Sequence, residues 1–279
     1  MPGDLFGSVN PRVGNIAVLN TSTTGINLKA SVNFTNPTPY TATIPLLNIH
    51  MVANDLLIGE ATVEDIDMKL GKISDVLVRA TWDPEGLGGD ASKDAGQKLL
   101  SDYLSGKNTS VTLRSHRGSI PGMPALGEAL SKINMTFAVP KLELPRDDDD
   151  DDEDPESRSR FIREATFHIF SSTASFRLAS PLQHNTIHIE KINATAYYNH
   201  TEAIGWITYD EPFGVPPGIS SSPRLPVDWE LDSIGYDEIN NALGGSLKLD
   251  AKANVTVRLG NWVEEIYYRG KGIGAKVRL

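Results

Sequence analysis

Alternation of apolar and polar positions dominates this chain. Ile26, Leu28, Ala30, Val32 and Phe34 are separated by Asn27, Lys29, Ser31, Asn33 and Thr35, the period-two pattern of a strand with one buried and one wet face. The pattern recurs at Ile133, Met135, Phe137 and Val139, at Ile192, Ala194 and Ala196, and at Ala253, Val255 and Val257. Apolar segments at Ile44–Val52, Ile66–Leu70, Val76–Val78, Ser110–Leu113, Ala174–Leu178, Ile187–Ile192, Leu247–Leu259 and Trp262–Tyr268 predict further strands. Helical spacing is rare. Asp94–Ser105 sets Leu99, Leu100, Tyr103 and Leu104 on one side before Gly106, and Tyr236–Leu243 sets Ile239 and Leu243 inward before Gly244 and Gly245. Short strands with one short helix in each half predict an all-β fold of two tandem immunoglobulin- or fibronectin-III-like sandwiches, each with a helical insertion.

The two halves repeat one unit. Asn36-Pro37 is followed after 22 residues by Ile58-Gly59, and Ser180-Pro181 after 24 residues by Ile204-Gly205, each counted from the residue before proline to the isoleucine. Between the copies, Pro145–Arg160 carries eight consecutive acidic residues, Asp147–Asp154, and no periodic apolar positions. Like charges with no core to bury predict a disordered linker. The boundaries are therefore 1–145 for the first sandwich, 146–160 for the linker and 161–279 for the second.

The acidic run also explains most of the net charge of −10, since the rest of the chain carries −2. Nothing is basic enough for a nucleic-acid footprint. The absence of cysteine excludes disulfides, thiol nucleophiles and cysteine-based metal sites. No apolar stretch approaches the roughly 20 residues of a membrane helix, and no segment has the order of a signal peptide.

Asn-x-Ser/Thr acceptors occur at Asn20, Asn33, Asn108, Asn134, Asn193, Asn199 and Asn254. Composition alone predicts roughly two for this motif. Asn33, Asn134, Asn193 and Asn254 each fall on the polar side of an alternating strand, where a glycan needs them. This predicts a lumenal or secreted glycoprotein, whose entry signal or anchor would then lie outside this chain.

The stretch Ile26–Val63 resembles the LEA-2 or WHy domain: an alternating strand ending in Asn36-Pro37, a strand with Ile44-Pro45, a turn at Asn54-Asp55, then Ile58-Gly59. The second half resembles it more weakly, with Ser180 before Pro181 and then Ile204-Gly205. Tandem domains of this type resemble the lumenal part of fungal vacuolar membrane proteins with one span, a yeast member of which is linked to terminating autophagy. Filamentous-fungal relatives carry a pre-rRNA-processing label, against which the acidic composition and the acceptor sites argue. The resemblance implies a non-enzymatic domain that binds lipid or a membrane surface along a hydrophobic groove. The alternative is a structural or protein-interaction ectodomain with no small-molecule ligand.

The residues offer little chemistry, and neither a cofactor nor a metal is expected. His184 and His188 would lie about 13 Å apart along a strand, too far for one ion, and His50, His116, His168 and His200 are isolated in sequence. Gly270–Gly274 lacks the strand–loop–helix context of a phosphate loop and reads as a turn or bulge. Asp65/Asp67 and Glu264/Glu265 read as surface carboxylates, and Trp82, Trp206, Trp229 and Trp262 as core or rim. The remaining candidates are two proline-framed apolar loops: Phe213, Val215 and Ile219 in the second half, and Ile120 and Met123 in the first. Each loop is expected to touch a groove or membrane, or to plug a sandwich end.

Overall fold

The computed structural model describes residues 12–36, 39–125, 128, 134–139, 161–230 and 246–278. The chain forms two compact units, which part after Leu142, apart from the short pieces Leu100–Lys107 and Gly260–Trp262. The Pro145–Arg160 linker and the helix expected at Tyr236–Leu243 lie outside the described residues.

The first unit contains β1 (Arg12–Thr21), β2 (Ile26–Asn36), β3 (Ala42–Ala53), β4 (Leu56–Met68), β5 (Gly71–Trp82), α1 (Pro84–Leu104), β6 (Ser110–Arg114) and β7 (Asn134–Ala138). The strands form one sheet in the order β1-β2-β5-β4-β3-β6-β7. The expected helix is real but starts ten residues earlier, at Pro84 instead of Asp94, and is interrupted at Gly89, whose φ is 71°. Its start is set by Asp83, whose Oδ1 accepts from the Gly86 amide at 3.0 Å. Ala95 and Leu99 on α1 pack on Ala53, Ile58, Trp82 and Val111.

The second unit contains β8 (Ile162–His168), β9 (Thr173–Ser180), β10 (Ile187–Tyr198), β11 (Glu202–Tyr209), β12 (Phe213–Val215), β13 (Gly218–Ser221), β14 (Leu225–Pro226), β15 (Asp228–Trp229), β16 (Ser246–Leu259) and β17 (Trp262–Arg278). Its main path runs β13-β9-β8-β17-β16-β10-β11-β15, with β14 also on β9 and β12 on β10. Phe167 on β8 meets Trp229 on β15 edge-to-face, with ring centroids 4.9 Å apart. Strands distant along the path therefore face each other across one core, as a sandwich requires. Around that pair sit Ala174, Ile204, Ile207, Leu225, Leu249, Tyr268 and Ala275, all buried.

The proline-framed loop of the second half is not a loop. Phe213–Val215 pairs with β10 and Ile219 pairs with Ala179 of β9. Gly270–Gly274 lies within β17, where Gly272 at φ 58° makes the irregularity. The Gly272 amide is held by Asp250 Oδ1 at 2.9 Å.

Both units wind their strands in one cyclic order, cut at different places. In the second, β8 pairs with β17 in parallel, joining first strand to last. In the first, the corresponding strands β1 and β7 are the two ends of the path. The strand equivalent to β5 is whole in the first unit. In the second it is broken into β13, β14 and β15, with Pro223 and Pro226 inside it, where neither proline can donate to a ladder.

Candidate functional site

The repeated Ile-Gly is a β-bulge in both units. Met51 pairs with Gly59 and Val52 with Leu57, leaving Ile58 as the extra residue of β4. Ala196 pairs with Gly205 and Tyr197 with Ala203, leaving Ile204 as the extra residue of β11. The bulge turns each isoleucine into the core, where both are 1% exposed. Each glycine then faces a tryptophan on its other side: Gly59 pairs with Trp82 and Gly205 with Trp229. A Cβ on Gly59 would lie 2.5 Å from Met51 Cε and from the Thr81 carbonyl, and one on Gly205 would lie 2.8 Å from Trp229 ring carbons. The turns before the bulges also correspond. Asn54 and Asp55 have φ of 50° and 64°, and Asn199 and His200 of 46° and 69°, the left-handed conformations that a tight hairpin demands.

Asn36 is 5% exposed and its Nδ2 donates to the carbonyls of Tyr40 at 2.8 Å and Lys69 at 3.0 Å. It thus ties the loop after β2 to the turn between β4 and β5. Ser180 is fully buried, but its Oγ accepts only a long 3.4 Å bond from the Leu182 amide. Asn36 pairs with Gly71 and Ser180 with Gly218, and these glycines have φ of 81° and 87°. Pro37 lies outside the described residues, and Pro181 is half-buried.

One face of the first sheet is a polar ladder. Asn27 Nδ2 donates to Asn20 Oδ1 at 2.5 Å, Thr81 to Asn27 Oδ1 at 2.7 Å, Thr62 to Asn48 Oδ1 at 2.8 Å, and Arg79 pairs with Glu64 at 2.8 Å. Asn33 stands on this face, half-buried, and its Oδ1 takes the Asp75 amide at 2.8 Å. Asn20, Asn108, Asn193, Asn199 and Asn254 are exposed. The Asn134 side chain lies outside the described set.

The other face is apolar and its burial is graded. Ile49, Ala61 and Val63 in the middle of the sheet are 7%, 8% and 7% exposed. Toward the β1 edge the same rows continue through Ala80, Val78, Leu28, Val32, Val18 and Val13, all only half-buried. Phe34 and Ala30 are likewise half-buried. At the corresponding junction of the second unit, Ala165, Phe167 and Ala275 are 2%, 6% and 0% exposed.

The apolar loop candidates separate. Val215 is fully buried and Phe213 packs on the core beside Tyr209, ring centroids 6.2 Å apart, so both fill the interior rather than offer a surface. Ile219 and Ile120 are half-buried, and Met123 is 58% exposed. Among the described residues no cluster could hold a metal ion. His184 is exposed in the turn before β10, and His188 lies within that strand.

The histidines are not all solitary. His50 and His116 stack with centroids 4.1 Å apart, and His50 Nε2 lies 3.3 Å from Glu60. Burial, then the neighbouring His116, hold the His50 imidazole below its usual pKa. His200 Nδ1 meets Asp250 Oδ2 at 2.7 Å. Burial alone would raise Asp250, but the bonds from His200 and the Gly272 amide hold its carboxyl below the ordinary range. What sequence reading missed was the tryptophan partner of each Ile-Gly. Its signal was spacing: Trp82 lies eleven positions after Gly71 and Trp229 eleven after Gly218, followed by Asp83 and Glu230.

Residues 9–128 match the family model described as the Tag1-like fourth LEA-2 like domain, and residues 154–267 match the Tag1-like fifth LEA-2 like domain. No curated protein matches the chain. Among solved structures, the CupB6 tip adhesin from Pseudomonas aeruginosa aligns over 95% of this chain and 99% of its own at 11% identity, with a TM-score of 0.14, too low to carry any argument.

Proposed function

Because the chain carries two LEA-2-like domains in tandem, we propose that it is a non-enzymatic lumenal binding module of an endomembrane protein, and that its first domain takes up an acyl chain between β1 and β7. The observation that carries this reading is the graded burial of the first sheet. Ala80, Leu28, Val18, Val32 and Val13 toward the β1 edge are half-buried, although Ile26 on β2 is 8% exposed, whereas the second unit pairs the equivalent strands and buries Ala165, Phe167 and Ala275. An apolar surface left half-covered beside an open seam gains by receiving an apolar ligand, at about 25 cal/mol per Å² removed from water. The exposed acceptor asparagines support a glycosylating compartment, and the family resemblance favours the fungal vacuole, with anchorage by a segment outside this chain.

The test is a native mass spectrum of the chain expressed through a eukaryotic secretory pathway, before and after enzymatic removal of N-glycans. A residual mass that survives deglycosylation and matches an extractable lipid is the expected result. A clean polypeptide mass would sink the acyl-chain reading. It would favour a second reading, which the same seam supports: among the described residues β1 and β7 each pair on one side only, an edge on which a partner protein could add a strand.

A further inference from the structure

The β8–β9 hairpin ends in Ile169-Phe170-Ser171-Ser172, a tip that is fixed in place yet carries an apolar side chain outward. His168 pairs with Thr173 across it. The Ser172 amide donates to the Ile169 carbonyl at 3.1 Å, and Ser171 Oγ shares a bond with Thr173 Oγ1 at 2.8 Å. The tip is also pinned from both flanks. The Ile169 amide donates to the Arg278 carbonyl at 3.0 Å and the Val227 amide to the Ser172 carbonyl at 2.9 Å. Ile169 packs on the core. Phe170, next to it, is 82% exposed, the most exposed large apolar side chain among the described residues. A pinned tip does not present a phenylalanine to water by accident of fraying.

The surroundings of that side chain are cationic. Arg278 pairs directly with His168 in the β8–β17 ladder, and Arg224 precedes Leu225, which pairs with Ala174 near the start of β9. The charges that His168 feels are those of Arg224 and Arg278. Both arginines are exposed, and neither is in an ion pair among the described residues. An apolar tip flanked by two exposed arginines is complementary to a surface with negative headgroups above hydrocarbon.

We propose that this hairpin tip is a docking point for an anionic bilayer, with Phe170 entering the headgroup–acyl boundary and Arg224 and Arg278 lying on the phosphate plane. This goes beyond the acyl-chain reading of the first domain and does not depend on it. The acyl-chain reading concerns one extracted lipid, whereas this site recognises an assembled surface. The full chain should co-float with phosphatidylcholine vesicles containing phosphatidylserine and not with phosphatidylcholine alone, and added salt should release it. Phe170→Ser should weaken binding about tenfold. Arg224→Gln and Arg278→Gln should each weaken it about fivefold. Tyr40→Ser removes a comparably exposed aromatic (76%) from the first unit and should leave binding unchanged. All four positions are exposed, so the variants should fold, and circular dichroism confirms it. Equal binding to neutral vesicles, no loss with Phe170→Ser, or displacement by soluble glycerophosphoserine would overturn the proposal.

Discussion

Removing the Asn36 amide tests what the asparagine before proline does in this domain. Its Nδ2 serves two backbone carbonyls, those of Tyr40 and Lys69, from a position 5% exposed. Whether the loss is large depends on what happens to those carbonyls. Tyr40 is 76% exposed and the Lys69 side chain 74% exposed, so water can reach the loops that hold them. The cost of Asn36→Ala is therefore the net worth of two hydrogen bonds, about 1–3 kcal/mol, and not two full desolvation penalties, which would be about 2–6 kcal/mol. Asn36→Asp decides the mechanism. It keeps the Oδ1 acceptor, which would suffice if the side chain merely shaped its own turn. It puts a second oxygen against two carbonyl oxygens, which is worse than a methyl group if donation is the role. The expected order of stability is asparagine, then alanine, then aspartate. Native-state hydrogen exchange of the β2 and β5 amides, read by mass spectrometry, places the loss in the first unit rather than in the whole chain. Recovery of protection by aspartate, or an alanine cost below about 0.5 kcal/mol, would refute this reasoning.

Other outcomes follow from single contacts. Gly205→Ala puts a Cβ 2.8 Å from two Trp229 ring carbons and should cost about 1–3 kcal/mol by overpacking. Gly274→Ala meets nothing within 4 Å and should stay within about 0.5 kcal/mol. Paired thermal melts compare the two. His50 is held below its unfolded value of 6.5 by burial, then by His116, with Arg114 adding to this and Glu60 opposing. A lowered folded pKa means that the folded state binds fewer protons, so stability is intact above 6.5 and is lost as pH falls from there through the folded value. His50→Leu should flatten that part of a stability–pH profile, and an unchanged slope would contradict it. Asn193 and Asn254 face each other directly in the β10–β16 ladder and are both exposed. Their Cα atoms are then about 5 Å apart, so two glycans compete for one patch. Glycopeptide mass spectrometry should find double occupancy rarer than the product of the single occupancies, and Asn254→Gln should raise occupancy at Asn193.

The strands were legible because alternation is a local property. β2 occupies the predicted residues, and β3, β6, β7, β10 and β16 lie within a residue or two of expectation. The helix start was misplaced because Gly86, Gly88 and Gly89 argue against helix locally, while the Asp83 cap and the packing of Ala95 and Leu99 override them. β12 and the start of β13 read as a loop because prolines and glycines at 212–218 match turn chemistry, whereas each short piece exists only by pairing with β10 or β9, distant in sequence. The polar stations of the candidate surface, the acceptor asparagines, were visible as a face of an alternating strand. The seam was not, since nothing local to β1 or β7 records whether first and last strands meet.

One weak sign of the difference between the domains was nevertheless present: Ser180 where the first copy has Asn36. Each stands opposite a positive-φ glycine that lies eleven positions before a tryptophan. In the first unit, the Asn36 amide fastens the turn before Gly71 to the end of β2, and β5 then pairs with β2 from Gly71 through Trp82 without leaving it. The serine hydroxyl is shorter and is spent on its own Leu182 amide. Among the described residues no side-chain amide holds Gly218 in this way, and Pro223 and Pro226 interrupt the stretch from Gly218 to Trp229, so it leaves β9 after β14 and reaches β11 as β15. A ring interrupted at its fifth strand keeps its core dry by closing elsewhere, and the second unit does so where β8 meets β17. Among the described residues the first unit, with an unbroken fifth strand, leaves its first and last strands at the ends of the path, and its apolar rows are half-buried on the β1 side. The duplicated domain thus divides the work of closure differently in its two copies, and the copy that keeps the motif asparagine is the one whose first and last strands end the sheet path.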